Sequence, residues 1–206
     1  MTSSSMTTSM ASGIEAQNTL EANPDSLPSH LGGHMDRTHN DRGTLTFLIN
    51  QYNIKTFLDI GCGPGGMVEL AQMRGLDAVG VDGDWTVERP KDVRVMIHDY
   101  TVGPTQWTRQ FDLGWSVEFL EHVEEKYQDN YMQDFARCKY VVTTAAPPNY
   151  PGHHHVNCRE QEYWHAVFDK YGFDYDDEVT RRIRTQESTM HKPFMQTTGM
   201  FFRRRS

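Results

Sequence analysis

A glycine-rich stretch after an apolar run is the first feature of this chain with chemical meaning. Residues 59–66 read Asp-Ile-Gly-Cys-Gly-Pro-Gly-Gly. Glycine lets the backbone turn sharply and approach a ligand closely, and a helix that follows such a turn offers free N–H groups. Asp82 ends the next apolar run, 21 positions after Gly61, a spacing that suits a carboxylate accepting hydrogen bonds from ribose hydroxyls. The pattern predicts a pocket for a ligand that contains a nucleoside.

Two ligand classes fit such a loop. Gly61, Gly63 and Gly66 also satisfy the G-x-G-x-x-G dinucleotide pattern, which keeps a nicotinamide-dependent oxidoreductase open. Asp59 places a negative charge beside the loop, where it would repel a pyrophosphate but would suit the ammonium group of an amino-acid ligand. The chain after Asp82 also has no obvious second domain for a dehydrogenase substrate. These features favour S-adenosylmethionine (AdoMet) over a nicotinamide.

Histidines supply the candidate acid–base chemistry. His153, His154 and His155 follow a predicted strand, and His122 follows the strand before it. Imidazole titrates near neutrality and is the natural general base for a hydroxyl acceptor. We predict that His155 acts as the base or orients it, with His122 or Glu118 near the acceptor.

Two alternatives need no catalytic histidine. His122 lies in a predicted helix and could hydrogen-bond only within its own turn. Asn157 with Glu160 three residues later reads as a helix capping box, which would explain the pattern of the segment after His155.

A metal alternative also exists, because the chain has ten histidines. His34, Asp36, His39 and the run from His153 offer nitrogen and oxygen donors of the kind that zinc or iron accepts. No H-x-x-x-H on a predicted helix or other recognised ligand spacing is present, so the sequence predicts no metal site.

Alternating strand and helix patterns must position these groups. Strands are predicted at 55–60, 78–81, 93–97, 111–117, 140–144, 173–175 and 200–203, and helices at 41–52, 66–74, 118–135 and 160–170. Such alternation implies an α/β domain with a parallel sheet and helices on both faces. Ligands of these sheets bind outside the carboxyl ends of the strands. We expect a disordered Ser-rich tail at 1–30, one domain at 31–206, and a candidate lid at 31–44.

Composition limits the partners. The net charge is −8 over 206 residues, which disfavours a large nucleic-acid footprint. Seven carboxylates lie between Asp112 and Asp134 against the single Lys126 and read as a solvated helix face.

No apolar run reaches the roughly 20 residues of a membrane span, no secretory signal is recognised, and the three cysteines form no disulfide framework. We expect a cytoplasmic protein; its oligomeric state stays open.

The motifs resemble those of class I AdoMet-dependent methyltransferases, over roughly residues 45–204. The resemblance rests on Asp-Ile-Gly-Cys-Gly-Pro-Gly at 59–65, Gly-Val-Asp at 80–82, His-Asp at 98–99 and Ser-Val-Glu-Phe-Leu-Glu-His-Val at 116–123. It implies a single Rossmann-like three-layer domain with a mostly parallel seven-stranded sheet whose last strand is antiparallel. A narrower likeness, in Thr-Thr-Ala-Ala-Pro-Pro at 143–148 and Gly-His-His-His-Val-Asn at 152–157, is to a bacterial and phage-encoded subgroup, which implies action in a host cytoplasm.

The resemblance also assigns the cofactor-binding residues: Asp59, Gly61, Cys62, Gly63, Gly65, Asp82, Gly83, Trp85, His98, Asp99 and Ser116. In the family, Asp59 and the glycine loop would hold the methionine part of AdoMet. Asp82 would take the ribose hydroxyls and Asp99 the adenine amine. Trp85 is placed to cover the adenine ring, with core packing as the alternative.

The sequence therefore predicts an AdoMet-dependent methyltransferase whose acceptor is a small molecule, sugar or glycan hydroxyl rather than nucleic acid. The alternatives are an AdoMet-binding protein without turnover and a nicotinamide-dependent oxidoreductase.

Overall fold

The computed structural model describes residues 26–205, so most of the expected tail at 1–30 lies outside the described residues. The strands are β1 (Thr56–Ile60), β2 (Asp77–Asp82), β3 (Val95–Ile97), β4 (Phe111–Ser116), β5 (Cys138–Thr143), β6 (Phe173–Tyr175) and β7 (Met200–Arg204). The α-helices are α1 (Arg42–Tyr52), α2 (Gly66–Met73), α3 (Gln128–Phe135), α4 (Gln161–Lys170), α5 (Asp177–Arg184) and α6 (Phe194–Thr198). Across these residues, no helix is both long enough and apolar enough to cross a lipid bilayer.

The seven strands form one sheet in the order β3-β2-β1-β4-β5-β7-β6. Strands β1 to β5 pair in parallel, and β7 runs antiparallel to both β5 and β6. The predicted fold, a mostly parallel seven-stranded sheet with its last strand antiparallel, is confirmed. The strand order reverses between β1 and β4, and the loops that leave these two strands diverge there. Such a switch point opens a crevice at the carboxyl ends of the strands.

Apolar side chains cover both faces of the sheet, which gives three layers. On one face, α3 and α4 pack through buried side chains such as Phe135 and Trp164. The ring of Phe168 also stacks on that of Phe202 in β7, with the centroids 4.1 Å apart. On the other face, α1, α2, α5 and α6 pack through side chains such as Leu48 and Ile183. Burial on both faces explains why the central strands are continuous apolar runs rather than alternating ones.

The helix predicted at 118–135 is wrong, because the chain there is divided into three short pieces. Two 3₁₀ turns, Leu120–His122 and Glu125–Tyr127, precede α3. Glu118 has a left-handed backbone with φ of +54°, and Val123 between the turns is extended. Apolar residues of the predicted helix, such as Leu120, Tyr131 and Phe135, still pack into one core. The hydrophobic period is therefore real, although the helix is not continuous.

The carboxylates between Asp112 and Asp134, which were expected to form a solvated helix face, do not all lie at the surface. Glu121 and Asp134 are buried, and Glu118 is half-buried. The carboxylates are therefore partly inside the protein, where each needs a partner.

The capping box predicted at Asn157 and Glu160 is wrong as well. Helix α4 begins at Gln161, and its N-cap Glu160 makes no side-chain capping bond. Asn157 is buried and accepts a hydrogen bond from Arg159 Nε instead. Two helices, α5 and α6, were not predicted, since they have only eight and five residues and show too few apolar positions for a period.

Asp134 of α3 fastens the loop that follows β3. Its carboxylate accepts a hydrogen bond from Tyr100 Oη at 2.5 Å and another from Thr105 Oγ1. Asn130 of the same helix donates to the carbonyl of Tyr100 at 2.6 Å. Burial raises the pKa of Asp134, whereas these hydroxyl donors lower it. The helix thus holds the residue next to Asp99 in place.

We expect Asp134→Ala to lower the free energy of unfolding by about 1–3 kcal/mol, because it leaves the buried Tyr100 hydroxyl without its acceptor. Urea unfolding measures the change. The control is Asp129→Ala on the same helix, where the side chain is 70% exposed and the loss should stay within about 1 kcal/mol. Equal losses in the two variants would contradict the anchoring role of Asp134.

Candidate active site

A cavity of about 740 Å³ lies at the carboxyl ends of β1, β2 and β4. Its walls come from the loops after these strands, which contribute Cys62, Gly83 and Phe119 among others. Further walls come from the loop after β5 and from residues before α1. The position is the crevice that the reversal of strand order opens.

The glycine loop is held by backbone hydrogen bonds to the end of β2. The N–H groups of Gly61 and Cys62 both donate to the carbonyl of Val81, at 2.9 and 3.1 Å. Gly63 N–H donates to Asp82 Oδ2 at 2.7 Å. Gly61, with φ of +75°, leaves no space for a side chain, because an added Cβ would lie 2.3 Å from Phe119. The loop and the acidic end of β2 therefore form one unit.

An arginine that the sequence analysis missed supports this unit. Arg89 Nε donates to the carbonyl of Gly63 at 3.0 Å, and its guanidinium lies 3.6 Å from Asp82 Oδ1. A second nitrogen donates to the carbonyl of Asp84 at 2.8 Å. No sequence pattern links Arg89 to the loop, since the contact crosses an irregular segment.

Three carboxylates end consecutive strands around the cavity. Asp59 lies near the end of β1, Asp82 at the end of β2, and Asp99 just after β3, and all three line the cavity. Burial raises the pKa of Asp59 well above its ordinary value, and the charge of Asp82 adds to this. Asp99 is different. Burial opposes its ionisation, but hydrogen bonds from Thr101 and His30 outweigh that and lower its pKa.

Residues 26–40 run across the cavity mouth, and we call them the covering segment. His30 Nε2 lies 2.8 Å from Asp99 Oδ2, and His34 Nε2 lies 3.0 Å from Asp84 Oδ2. Thr38 Oγ1 accepts from Gly66 N–H, the first residue of α2, at 3.0 Å. The segment therefore contacts three of the loops that line the cavity. Its first residues belong to the range 1–30 that was expected to be a tail.

Most residues predicted to bind the cofactor lie on this cavity. These are Asp59, Gly61, Cys62, Gly63, Asp82, Gly83, His98 and Asp99.

Three of the predicted cofactor residues have other surroundings. Ser116 is buried, and its hydroxyl donates to the carbonyl of Ile60 at 2.8 Å, which joins β4 to β1. Gly65 packs against Val93, which an added Cβ would approach to 2.6 Å. Trp85 is half-buried and is not among the residues that line the cavity. Leu31 of the covering segment packs against Gly83 instead.

The predicted catalytic residues meet at one end of the cavity. Glu118, His122 and His155 all line it, and the rings of His122 and His155 are 4.9 Å apart. The side chain of His122 bonds outside its own turn: its Nδ1 lies 2.7 Å from the carbonyl of His153. Burial, followed by the nearby His155, lowers the pKa of His122 to about 4. At neutral pH its imidazole is uncharged.

The sequence analysis missed Glu121, which lies between these groups. Its side chain is fully buried, and neither carboxylate oxygen has a hydrogen-bond partner among the described residues. Burial and the charge of Glu118 raise its pKa well above the ordinary value. The available signal was the spacing Glu118-x-x-Glu121-His122, which a single helix would have placed on one face.

The other histidines that could have formed a metal site lie apart. His34 pairs with Asp84, the ring of His39 packs edge-on against Phe194, and Asp36 is exposed. Within residues 26–205, the group of donor side chains close enough to share an ion is Glu121, His122 and His155.

No family model and no curated protein matches the sequence, but solved structures do match the fold. A TehB-like SAM-dependent methyltransferase from Corynebacterium glutamicum superposes with a TM-score of 0.58 and 18% identity, over 81% of this chain and 90% of that one. The plantazolicin methyltransferase BpumL, in complex with a pentazolic desmethylPZN analogue and S-adenosylhomocysteine (SAH), gives 0.54 and 12%, over 79% and 82%.

Magnesium protoporphyrin IX methyltransferase from Synechocystis PCC 6803, with bound SAH, gives a TM-score of 0.50 and 15% identity, over 77% of this chain and 78% of that one. The chain has the Rossmann-like fold of class I SAM-dependent methyltransferases. The fold that the motif resemblance implied is thereby confirmed.

We expect Gly61→Ala to destabilise the protein more than Gly75→Ala. Both glycines have left-handed backbones, with φ of +75° and +79°, so the alanine strain of about 1–2 kcal/mol is shared. Only at Gly61 does the new Cβ meet an atom, whereas Gly75 has nothing within 4 Å. Overpacking should add about 1–3 kcal/mol, measurable by urea unfolding. Equal losses would mean that Phe119 does not rest on the loop.

Proposed function

We propose that this chain binds AdoMet in the cavity and transfers its methyl group to an acceptor. The observation that carries the proposal is the row of three carboxylates, Asp59, Asp82 and Asp99, at the ends of three adjacent strands around one glycine loop. Two of the solved structures with this fold contain SAH, which supports the same class of ligand here.

The carboxylates match the polar groups of AdoMet in order. Asp59 is buried and its pKa is raised, so a ligand ammonium beside it would provide the missing positive charge. Asp82 would accept from the ribose hydroxyls while it holds Gly63 N–H. Asp99 would accept from the adenine amine beside His30, whose Nε2 lies 2.8 Å from Asp99 Oδ2. A pyrophosphate would instead bring negative charge against Asp59, which disfavours the nicotinamide alternative.

The acceptor side of the cavity is the end that holds Glu118, His122 and His155. Methyl transfer from a sulfonium is an in-line displacement, so the protein mainly positions the acceptor and excludes water. The neutral imidazole of His122 would suit a hydroxyl acceptor, from which a proton must leave. His155 is the proposed base or orienting group, and His122 and Glu118 are proposed to lie near the acceptor.

A small molecule or a sugar hydroxyl is the proposed acceptor class. The net charge of −8 works against a long polyanion. The covering segment also narrows the mouth of the cavity, which suits a compact acceptor. Conversion of methyl-labelled AdoMet in the presence of fractionated small metabolites tests turnover; ligand binding without any conversion would favour the binding-protein alternative.

We expect SAH at about 100 times its dissociation constant to stabilise the wild type by roughly 2.7 kcal/mol, which corresponds to about 5–10 °C in Tm. Asp82→Ala should remove most of this shift, because it loses the ribose acceptor and the bond to Gly63. Thermal unfolding with SAH, AdoMet and NADH measures it.

The matched control for Asp82 is Asp77→Ala, at the opposite end of β2. Asp77 pairs with Arg94 and Arg109 at the surface and should keep the full SAH shift. A shift with NADH but not with SAH would overturn the proposal and favour the oxidoreductase alternative.

The covering segment is proposed to act as a lid that closes on the bound ligand. We expect SAH to slow tryptic cleavage after Arg37, which is exposed in the middle of the segment, because a ligand held by Asp99 and Gly83 would also contact His30 and Leu31. Mass spectrometry of the early fragments gives the rate. Cleavage after Arg74, exposed beyond α2, is the internal control; unchanged rates at both sites would refute the lid.

A further inference from the structure

Three side chains with metal-binding atoms meet at the proposed acceptor end of the cavity. Donor atoms of Glu121, His122 and His155 all lie within 4.8 Å of one another. We call these three residues the donor cluster. They come from two loops: Glu121 and His122 follow β4, and His155 follows β5. Glu118 lies outside this group, although its charge acts on Glu121.

Backbone hydrogen bonds bring the two loops together. The N–H groups of Val156 and Asn157 both donate to the carbonyl of Glu121, at 3.0 Å each. This contact lies directly beside His155 and carries its ring to His122. Backbone hydrogen bonds therefore bring the cluster together, rather than contacts between the donor side chains.

Both imidazoles are oriented in the same way. His122 Nδ1 lies 2.7 Å from the carbonyl of His153, and His155 Nδ1 lies 2.9 Å from the carbonyl of Tyr150. A carbonyl only accepts, so each Nδ1 carries the proton and donates. In the neutral form of each ring, Nε2 is then the nitrogen that carries the lone pair. A histidine that binds a metal is held in the same manner, through its other ring nitrogen.

The ring of His155 packs against Gly152. An added Cβ at Gly152 would lie 2.1 Å from Nε2, 2.3 Å from Cε1 and 2.5 Å from Cδ2 of His155, so any side chain there would displace the imidazole. The glycine therefore allows the position that the ring occupies.

Glu121 supplies a second and independent observation. Glu121 is fully buried and neither of its oxygens makes a well-formed hydrogen bond to a described residue, although the Ala146 N–H and the Glu118 carboxylate approach it. Such a carboxylate is costly in a folded protein unless it is neutralised or paired. Within residues 26–205 no arginine or lysine forms a salt bridge with it. A bound cation would satisfy both oxygens at once.

Glu118 is held at the same place by a strained backbone. Its φ of +54° is uncommon outside glycine and asparagine. Thr144, directly after β5, fastens it twice, because its hydroxyl accepts from Glu118 N–H at 2.9 Å and donates to Glu118 Oε1 at 2.8 Å.

We propose that Glu121, His122 and His155 form a binding site for one divalent first-row transition ion, with Glu118 beside it. Two imidazoles with a carboxylate are a donor set that suits zinc, iron or manganese. The sequence predicted no metal site, and its metal alternative named only His155 of these residues, within the run from His153.

The site also narrows the acceptor class, an extension that rests on the proposed function. A divalent ion binds oxygen and lowers the pKa of a bound hydroxyl. The acceptor oxygen would lose its proton to solvent and form the new O–C bond. The S–C bond of AdoMet would break, with its electron pair remaining on sulfur to give SAH. His155 would then act on the acceptor through the ion.

The test measures the ion directly, without methyl transfer. Protein without a polyhistidine tag is stripped with EDTA, dialysed and titrated with Co²⁺, whose visible absorption reports coordination by protein groups. We expect one Co²⁺ per chain in the wild type. Glu121→Gln and His155→Asn should each weaken binding at least about tenfold. His154→Asn is the control, because His154 is the adjacent histidine, lies outside the cluster and has a left-handed backbone that asparagine tolerates.

The outcomes separate the two proposals. Co²⁺ binding that is absent in the wild type, or equally strong in Glu121→Gln and His155→Asn, would overturn the metal site. The SAH thermal shift is recorded on the same samples and should persist in Glu121→Gln, which shows that the variant is folded. If SAH produces no thermal shift in the wild type while Co²⁺ still binds, only the proposed function is refuted.

Discussion

The site depends on the docking of the glycine loop against the end of β2. The N–H groups of Gly61 and Cys62 share the carbonyl of Val81, and Asp82 takes the next free N–H, that of Gly63. These bonds satisfy backbone groups that would otherwise be buried without partners. They also force the loop to open toward β4, where Phe119 closes over Gly61. The cavity and the carboxylate row follow from this arrangement.

Burial divides the acidic groups into those already satisfied and those left for a ligand. Asp134 and Asp99 are buried but receive hydrogen bonds from hydroxyl, backbone or imidazole donors. Asp59 and Glu121 are equally buried, and burial raises the pKa of each well above its ordinary value. Carboxylates placed in this way favour the arrival of positive charge. One lies at the proposed methionine end of AdoMet and the other at the acceptor end.

The pattern of glycines, acids and apolar runs was sufficient to predict the fold, and most of the residues expected to bind the cofactor line one cavity. Strand alternation implies a parallel sheet, and carboxyl ends of parallel strands meet at one edge, so Asp59, Asp82 and Asp99 could be expected together. Trp85 shows where the sequence pattern no longer predicts the lining of the cavity. An aromatic after a strand predicts a stacking partner, but the covering segment places Leu31 against Gly83 instead.

The sequence by itself determined the order of the elements and the position of the glycine loop, because both depend on local periodicity and on backbone freedom. Only the tertiary structure decided which residues meet at the proposed acceptor end of the cavity. The left-handed backbone at Glu118 breaks the predicted helix. The bond from the Val156 N–H to the Glu121 carbonyl joins residues more than thirty positions apart. No local preference encodes such a contact. Glu121 therefore read as one acid on a solvated helix, whereas the fold buries it beside two histidines.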